Sequence, residues 1–327
     1  MTSEVTRRAR MFVAQKTPTA HGLGRALAEL IDDPEAFTSA LQDGFEGLAD
    51  PAYAQEQERV APGSGAVVGV RWPLWRAVAR QLRAPLAESS PASAVSLGQR
   101  LVRSPIREIR LFALVPLERS LPADPERTWQ ILRRLARAAN DWISVDSMAD
   151  LVARGILAEP FRWAELEQLV YSPHRWERRL VGSTVARMPF GVPAHERTSI
   201  DPRRHALSAI ESLIGDADAD VQKALGWALR EWTRVDRQGV TALLEKEAET
   251  ARLTDDGHRA WVIRDALSAQ PQATAQAIRK SLADIRRRTS APATSLAGQV
   301  SASFADALAG AGQAVASQGD RMAGAAR

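Results

Sequence analysis

The sequence predicts an all-α protein in which pairs of helices repeat along the chain, and three observations support this. Helix-start signals such as Ser104-Pro105 and Ser172-Pro173 stand before apolar patterns with a period of 3.6 residues. Placing the starts near residues 71, 104, 140, 172, 218 and 255 gives intervals of 33, 36, 32, 46 and 37 residues. No segment has the length of a β-strand; residues 65–70 come nearest and are too short.

A helix pair about every 35 residues is typical of an αα-superhelix, a solenoid of HEAT-like helical repeats. The one long interval contains an insertion, residues 188–202, which we expect to be an irregular loop. We expect an N-terminal extension over residues 1–20, one repeat domain over 21–288 and an Ala/Gly/Ser-rich tail over 289–327. The composition of the tail favours disorder, although a weak helix through Leu296, Val300 and Phe304 is an alternative.

Composition excludes several classes of function. The chain has no cysteine, which rules out disulfides, thiolate zinc sites and iron–sulfur clusters. The five histidines lack metal-ligand spacing, and no nucleotide-binding or serine-nucleophile motif is present, so we expect no metal and no cofactor. Without a signal peptide or an apolar run of 18 residues, we expect a cytoplasmic monomer that does not bind membranes.

The basic residues suggest a polyanionic partner. Of 43 basic residues 39 are arginine, whose planar fork binds phosphate with two hydrogen bonds, although a GC-rich genome would produce the same bias. Between Arg100 and Arg137 there are nine arginines and four acidic residues, which locally favours a polyanion.

Tryptophans stand beside charged residues at the starts of three successive repeats. Trp142 lies one helical turn before Asp146, so both side chains share a face, and an ionised carboxylate among apolar groups is costly unless something pairs with it. The other two groups are Trp176 with Arg175, Arg178 and Arg179, and Trp227 with Lys223 and Arg230. Equivalent positions of neighbouring repeats line one surface of a solenoid, so the three groups would form a single pocket.

Each of these residues also has a plain structural interpretation. Any one tryptophan can be a core residue, and Arg178 or Arg179 can be a solvated surface charge. Asp146 can be a helix cap or one half of a structural ion pair. Their coincidence across repeats favours a functional site.

Four runs resemble the AlkD-type DNA alkylation repair glycosylases, in the same order, from about residue 24 to 287. They are Gly69-Val-Arg-Trp-Pro-Leu-Trp-Arg76, Asp141-Trp-Ile-Ser-Val-Asp146, Ser172-Pro-His-Arg-Trp-Glu-Arg-Arg179 and Val221-Gln-Lys-Ala-Leu-Gly-Trp-Ala-Leu-Arg-Glu231. The resemblance implies a helical superhelix that releases cationic alkylated purines, such as 3-methyladenine and 7-methylguanine, from double-stranded DNA. The chain departs from the family in carrying Ile143 where an acidic residue often follows the first tryptophan.

By position, the resemblance implies that Trp142, Asp146 and Trp227 are catalytic and that Arg179 contacts the DNA backbone. The neighbouring Arg175, Arg178, Lys223 and Arg230 are further candidates for DNA binding.

The chemistry is consistent with this resemblance. A cationic base is already a good leaving group, so one carboxylate that stabilises positive charge on the sugar suffices, where ordinary glycosidases use two. Two alternatives stay open: a catalytically inactive repeat protein that binds damaged or branched DNA, and a protein-interaction scaffold.

Overall fold

The computed structural model describes residues 4–193, 195, 203–304 and 306–307. Within these residues there are seventeen α-helices and no β-strand, with two isolated bridges, Ala49 to Val70 and Ala66 to Ile106. The predicted all-α fold of helical repeats is therefore confirmed. In the described part of the chain, no helix combines the length and the apolar character needed to cross a membrane.

The chain divides into two compact units, residues 1–155 and 156–327. The first unit contains α1 (Glu4–Ala28), α2 (Pro34–Gly47), α3 (Pro51–Val60), α4 (Trp72–Gln81), α5 (Arg83–Glu88), α6 (Pro91–Leu101), α7 (Arg107–Phe112), α8 (Leu114–Ser120), α9 (Pro125–Ala138) and most of α10 (Trp142–Ala158).

Four helices of the first unit share one start signal. An Asp or Ser side chain accepts a hydrogen bond from the first turn, and a proline follows it at the first helical position, where no N–H is needed. The capping residues are Asp33, Asp50, Ser90 and Asp124.

The core of the first unit is built around an aromatic cluster. The Phe112 ring lies 5.7 Å from that of Phe45 and 5.0 Å from that of Trp75 between centroids, both edge to face, and all three side chains are buried. Helix α1 packs on α4, and α6 packs on α8. The expected boundary at residue 20 falls inside α1, whose residues Ala20 and Leu27 are fully buried.

The second unit contains α11 (Trp163–Gln168), α12 (Arg175–Arg187), α13 (Arg203–Leu213), α14 (Ala219–Trp232), α15 (Arg237–Thr254), α16 (Gly257–Ala266) and α17 (Gln272–Ser281). Helices two positions apart pack on each other: α12 on α14 and α14 on α16, then α13 on α15 and α15 on α17. This alternation forms two layers of stacked helices, as helical repeats require.

The closest packing joins α12 to α14. A Cβ atom on Gly182 would lie 2.9 Å from the Cβ atom of Ala224, so glycine at this position lets the two helices approach. The buried indole of Trp232 donates a hydrogen bond of 2.6 Å to the carbonyl of Val185. The predicted start positions of two repeats therefore lie on adjacent helices of one layer.

The beginning of the expected tail is ordered against the second unit. The backbone N–H of Thr294 donates to the carbonyl of Gly215 at 2.9 Å, and residues 296–304 are helical with Ala297 buried. We call residues 291–304 the C-terminal segment. The predicted weak helix is present there, whereas residues 305 and 308–327 of the tail lie outside the described residues. Of the predicted insertion, Met188–Phe190 form a 3-10 helix, and residues 194 and 196–202 also lie outside.

Candidate functional site

Trp142 and Asp146 lie at the exposed start of α10. Trp142 is the first residue of the helix and is 37% exposed, and Asp146 is half-buried one turn later. The cap of this helix is the buried Asp141, whose carboxylate accepts hydrogen bonds from the N–H (2.9 Å) and the hydroxyl (2.7 Å) of Ser144. Because Asp141 caps the helix, Asp146 is not needed for that role.

The indole of Trp142 has a fixed hydrogen-bond partner. Its Nε1–H donates to the carbonyl oxygen of Val60 at 3.3 Å. Val60 is the last residue of α3, so this carbonyl is one that the helix itself leaves unsatisfied. The indole is thereby held at its edge while part of its surface remains open to solvent.

Arg178 is committed to the fold of the second unit. Its Nε donates to the carboxylate of Asp216 at 2.7 Å, and its Nη1 donates to the carbonyls of Ser172 (2.8 Å) and Pro173 (3.1 Å). Both Arg178 and Asp216 are buried. Arg178 therefore joins the start of α12 to the turn before α14, and this structural role explains the residue with no need for a DNA contact.

Arg179 and Arg175 differ in exposure. Arg179 is 5% exposed, and its Nη1 donates at 2.6 Å to the carbonyl of Asp220 in the first turn of α14. Arg175 is exposed, and its guanidinium lies 4.8 Å from the ring centroid of the buried Trp176 and 3.7 Å from the carboxylate of Asp218. Of the three predicted cations on α12, Arg175 is therefore the one that solvent and a ligand can reach.

On α14, Lys223 is exposed and Trp227 is half-buried one turn later. Arg230 is half-buried, and its guanidinium forms an ion pair with the carboxylate of Asp265 on α16. A Cβ atom on Gly226 would lie 2.9 Å from the Cγ atom of Asp265, so this glycine makes room for the carboxylate. The structure thus places Asp265 beside the residue that precedes Trp227.

Asp265 could not be associated with Trp227 from the sequence, because 38 residues separate the two. A signal was present, however. Gly226 interrupts a helix that otherwise carries good helix formers, and such a glycine indicates the close approach of a neighbouring group.

The arginine-rich segment predicted to face a polyanion is used partly inside the protein. Arg107 is 3% exposed, and Arg110 donates hydrogen bonds to the carbonyls of Ser104 and Pro105 at 3.0 and 2.8 Å. A sequence count of arginines does not separate those that bind backbone carbonyls from those that face solvent.

Another cationic and aromatic surface lies on α4. Trp72 is 37% exposed and stacks on Trp75 with ring centroids 4.6 Å apart. The guanidinium of the exposed Arg76 lies 5.3 Å from the Trp72 ring, and Arg80 follows one turn later on the same face. Residues 71–87 contain four arginines and no acidic residue.

The structure therefore brings the predicted residues together in two groups. Trp142 and Asp146 belong to the first unit, and the cations of α12 contact the start of α14, the helix that carries Trp227, in the second. That the two groups line a single pocket stays a prediction.

Comparisons with known proteins agree with these observations. A family model described as "DNA alkylation repair enzyme" matches residues 41–290. A solved structure, "Predicted DNA alkylation repair enzyme from Enterococcus faecalis", superposes with a TM-score of 0.51 at 16% identity, covering 61% of this chain and 89% of that one. At this identity the likeness concerns the fold. A search of curated proteins found no match. Because the family model covers well over half of the chain, this protein belongs to the DNA alkylation repair enzyme family.

Proposed function

We propose that this protein is a monofunctional DNA glycosylase that hydrolyses the N-glycosidic bond of cationic alkylated purines in duplex DNA. Substrates of this class carry lesions of the 3-methyladenine and 7-methylguanine type. The observation that carries the proposal is the pair at the start of α10: an exposed indole and, one turn later, a carboxylate that the helix does not use as its cap.

The lesion's positive charge decides what the protein must supply. When the bond between C1′ and the purine nitrogen breaks, its electron pair stays with the base, which leaves as a neutral molecule. Water adds to C1′ and gives up a proton. No acid is needed for the leaving group, so the task of the protein is to stabilise the positive charge that develops on the sugar.

Asp146 supplies a negative charge for that purpose, and the ring faces of Trp142 and Trp227 add the negative face of an aromatic quadrupole. The partial exposure of both indoles supports this role, because a fully buried ring such as that of Trp232 cannot contact a substrate. Asp265 is not a second free carboxylate for this reaction, because it accepts a hydrogen bond from Arg230.

The DNA backbone needs cations that face solvent. Arg175 and Lys223 are exposed on adjacent helices of the second unit, and Arg76 and Arg80 are exposed on α4 of the first. Such residues neutralise phosphates and position the duplex without reading its sequence. Arg179 is buried and holds the first turn of α14, so in this proposal it acts on the helix that carries Trp227, and the predicted contact with the DNA backbone passes to Arg175.

The second candidate function is damage-specific DNA binding without catalysis. The exposed cations would serve it equally well. The presence of Asp146 favours the enzyme, since plain binding to a polyanion has no use for a carboxylate beside the indole, whereas stabilising a cationic sugar does.

Release of free base decides between the two. The full chain is incubated with duplexes that contain 7-methylguanine or 3-methyladenine, under single-turnover conditions. We expect Asp146→Asn to lower the rate about 10²–10³-fold with unchanged DNA affinity, a loss typical of removing a preorganised electrostatic group. The matched control is Asp150→Asn, one turn further along α10, where the carboxylate pairs with Arg154 at 3.1 Å.

If the wild type releases base no faster than the uncatalysed reaction, the glycosylase proposal is wrong and damage-specific DNA binding without catalysis is the remaining candidate. Equal rates for the wild type and Asp146→Asn would show that the carboxylate has no part in catalysis.

A further inference from the structure

Residues 61–70 form a loop between α3 and α4 that is built for one conformation. Gly63, Gly65 and Gly69 have positive φ angles of 85°, 84° and 90°, a region that residues with a Cβ atom rarely adopt. At Gly65 a Cβ atom would also lie 2.7 Å from the carbonyl oxygen of Pro105. A residue with a Cβ atom at these positions would therefore be strained or would clash. We call residues 61–70 the glycine loop.

Three charged side chains that the proposed chemistry does not use hold this loop. Glu108 accepts hydrogen bonds from the N–H groups of Gly69 (2.7 Å) and Val68 (3.2 Å). Arg110 donates to the carbonyl of Ser64 as well as to those of Ser104 and Pro105. Hydrogen bonds to ionised groups are the stronger kind, so the loop is clamped from both ends.

Arg107 connects the loop to the end of α3. It donates to the hydroxyl of Ser64 at 3.3 Å and to the side-chain carbonyl of Gln57 at 3.1 Å. Gln57 lies in the last turn of α3, which ends at Val60. Arg107 therefore links the glycine loop to the last turn of α3, which carries the Val60 carbonyl.

The clamp reaches the start of α10 by three routes. The Val60 carbonyl accepts the indole N–H of Trp142. A Cβ atom on Gly63 would lie 3.6 Å from the carbonyl of Asn140, just before the helix. Burial lowers the pKa of the Arg110 guanidinium, and the negative charge of Asp141, the cap of α10, opposes that lowering.

We propose that Arg107, Glu108 and Arg110 are positioning residues, which fix the glycine loop and the end of α3 so that the Val60 carbonyl sets the angle of the Trp142 indole. The proposal rests on the glycosylase function proposed above. An indole contributes to charge stabilisation through its ring face, and that contribution depends on orientation. Small displacements of a group near the reaction cost up to about 10²-fold in rate.

The test is a double-mutant cycle in the full chain. Arg110→Lys keeps the charge, but its compact ammonium group cannot span the separate carbonyls that the two ends of the guanidinium fork reach. Trp142→Phe keeps the aromatic face but removes the N–H group that Val60 accepts. We expect each variant to slow single-turnover base release about tenfold with little change in DNA affinity, and the double variant to be no slower than the slower single variant. Multiplication of the two losses would overturn the proposal.

A matched control separates positioning from general damage to the unit. Arg119 also donates to two backbone carbonyls, those of Leu86 (3.0 Å) and Ala87 (3.2 Å), in the same unit. Arg119→Lys is expected to leave base release unchanged. If Arg110→Lys does not fold, Glu108→Gln replaces it, because the amide offers one acceptor where the carboxylate offers two.

A second measurement does not depend on catalysis. The indole N–H resonance of Trp142 is assigned in ¹⁵N-labelled protein by its loss in Trp142→Phe. It is expected to shift and to exchange faster with solvent in Arg110→Lys but not in Arg119→Lys. An unmoved resonance would refute the positioning role even if base release falls. If the wild type releases no base, the glycosylase proposal fails while this measurement still decides whether the clamp holds the indole.

Discussion

Arg178→Ala separates a structural arginine from a DNA-binding one. Arg178 is 10% and Asp216 1% exposed in their side chains, and they share a hydrogen bond of 2.7 Å. Removing one partner of a buried ion pair leaves an unpaired charge and costs about 3–5 kcal/mol. For a unit of this size the melting temperature should fall on the order of 10 °C.

Thermal unfolding, monitored by circular dichroism, measures this loss of stability. DNA affinity measured at several salt concentrations tests separately whether the arginine contacts phosphate. Arg178→Ala is assayed for binding well below its melting temperature, where we expect the salt dependence of the wild type. Lys223→Ala is the converse control. We expect this variant to keep the melting temperature of the wild type, while the slope of log affinity against log salt falls by about 0.9 in magnitude for one lost phosphate contact. If Arg178→Ala instead keeps its stability and reduces that slope, the arginine contacts phosphate and the structural assignment is wrong.

Three further predictions concern other parts of the chain. A chain ending at Ser290 should melt at a lower temperature than one ending at Ala307, because it lacks the hydrogen bonds of the C-terminal segment to the second unit. Asp50→Asn should destabilise by about 1 kcal/mol at neutral pH in urea unfolding, because the amide still caps α3 but loses the charge that pairs with Arg71 and faces the helix N-terminus. Burial tends to raise the pKa of Asp50, but hydrogen bonds from Arg71 and the N–H groups of α3 hold that pKa below its usual value. The stabilisation that the ionised Asp50 provides is therefore lost as pH falls through the lowered pKa. The difference in stability between the variant and the wild type should vanish in acid. Duplexes with 7-methylguanine or 3-methyladenine should lose the base while uracil and hypoxanthine stay intact; efficient release of a neutral base would reveal an acid not identified here.

The helices were predictable because their signals are local. A capping side chain followed by proline satisfies one backbone donor and fixes one φ angle, and both effects act within a single turn. Periodic apolar residues then determine which face is buried. The same locality explains why Trp142 and Asp146 could be paired from sequence, since a separation of four residues in a helix guarantees a common face.

The roles of the arginines were not predictable, because the guanidinium group binds carbonyls, carboxylates and phosphates with the same geometry. Arg110 and Arg178 each bind backbone carbonyls near a helix start, and Arg178 also binds a carboxylate. These carbonyl partners lie only five and six residues before each arginine, but Asp216, which Arg178 also binds, is 38 residues away. Only the tertiary fold shows which arginines are left for a ligand.

Asp265 connects the packing of the second unit to the proposed selectivity. A single Cβ atom at position 226 would displace its carboxylate, so the glycine before Trp227 keeps an acidic group against α14, and Arg230 pairs with it. An unpaired carboxylic acid at this place could protonate a leaving base; the ion pair makes the group a hydrogen-bond acceptor instead. The arrangement supplies aromatic surface and balanced charge but no proton, which is what a reaction on bases that are already cationic requires. Arg230→Gln, which removes the cation without removing the carboxylate, tests this arrangement: release of uracil or hypoxanthine by the variant but not by the wild type would show that the ion pair with Arg230 restricts the enzyme to cationic bases.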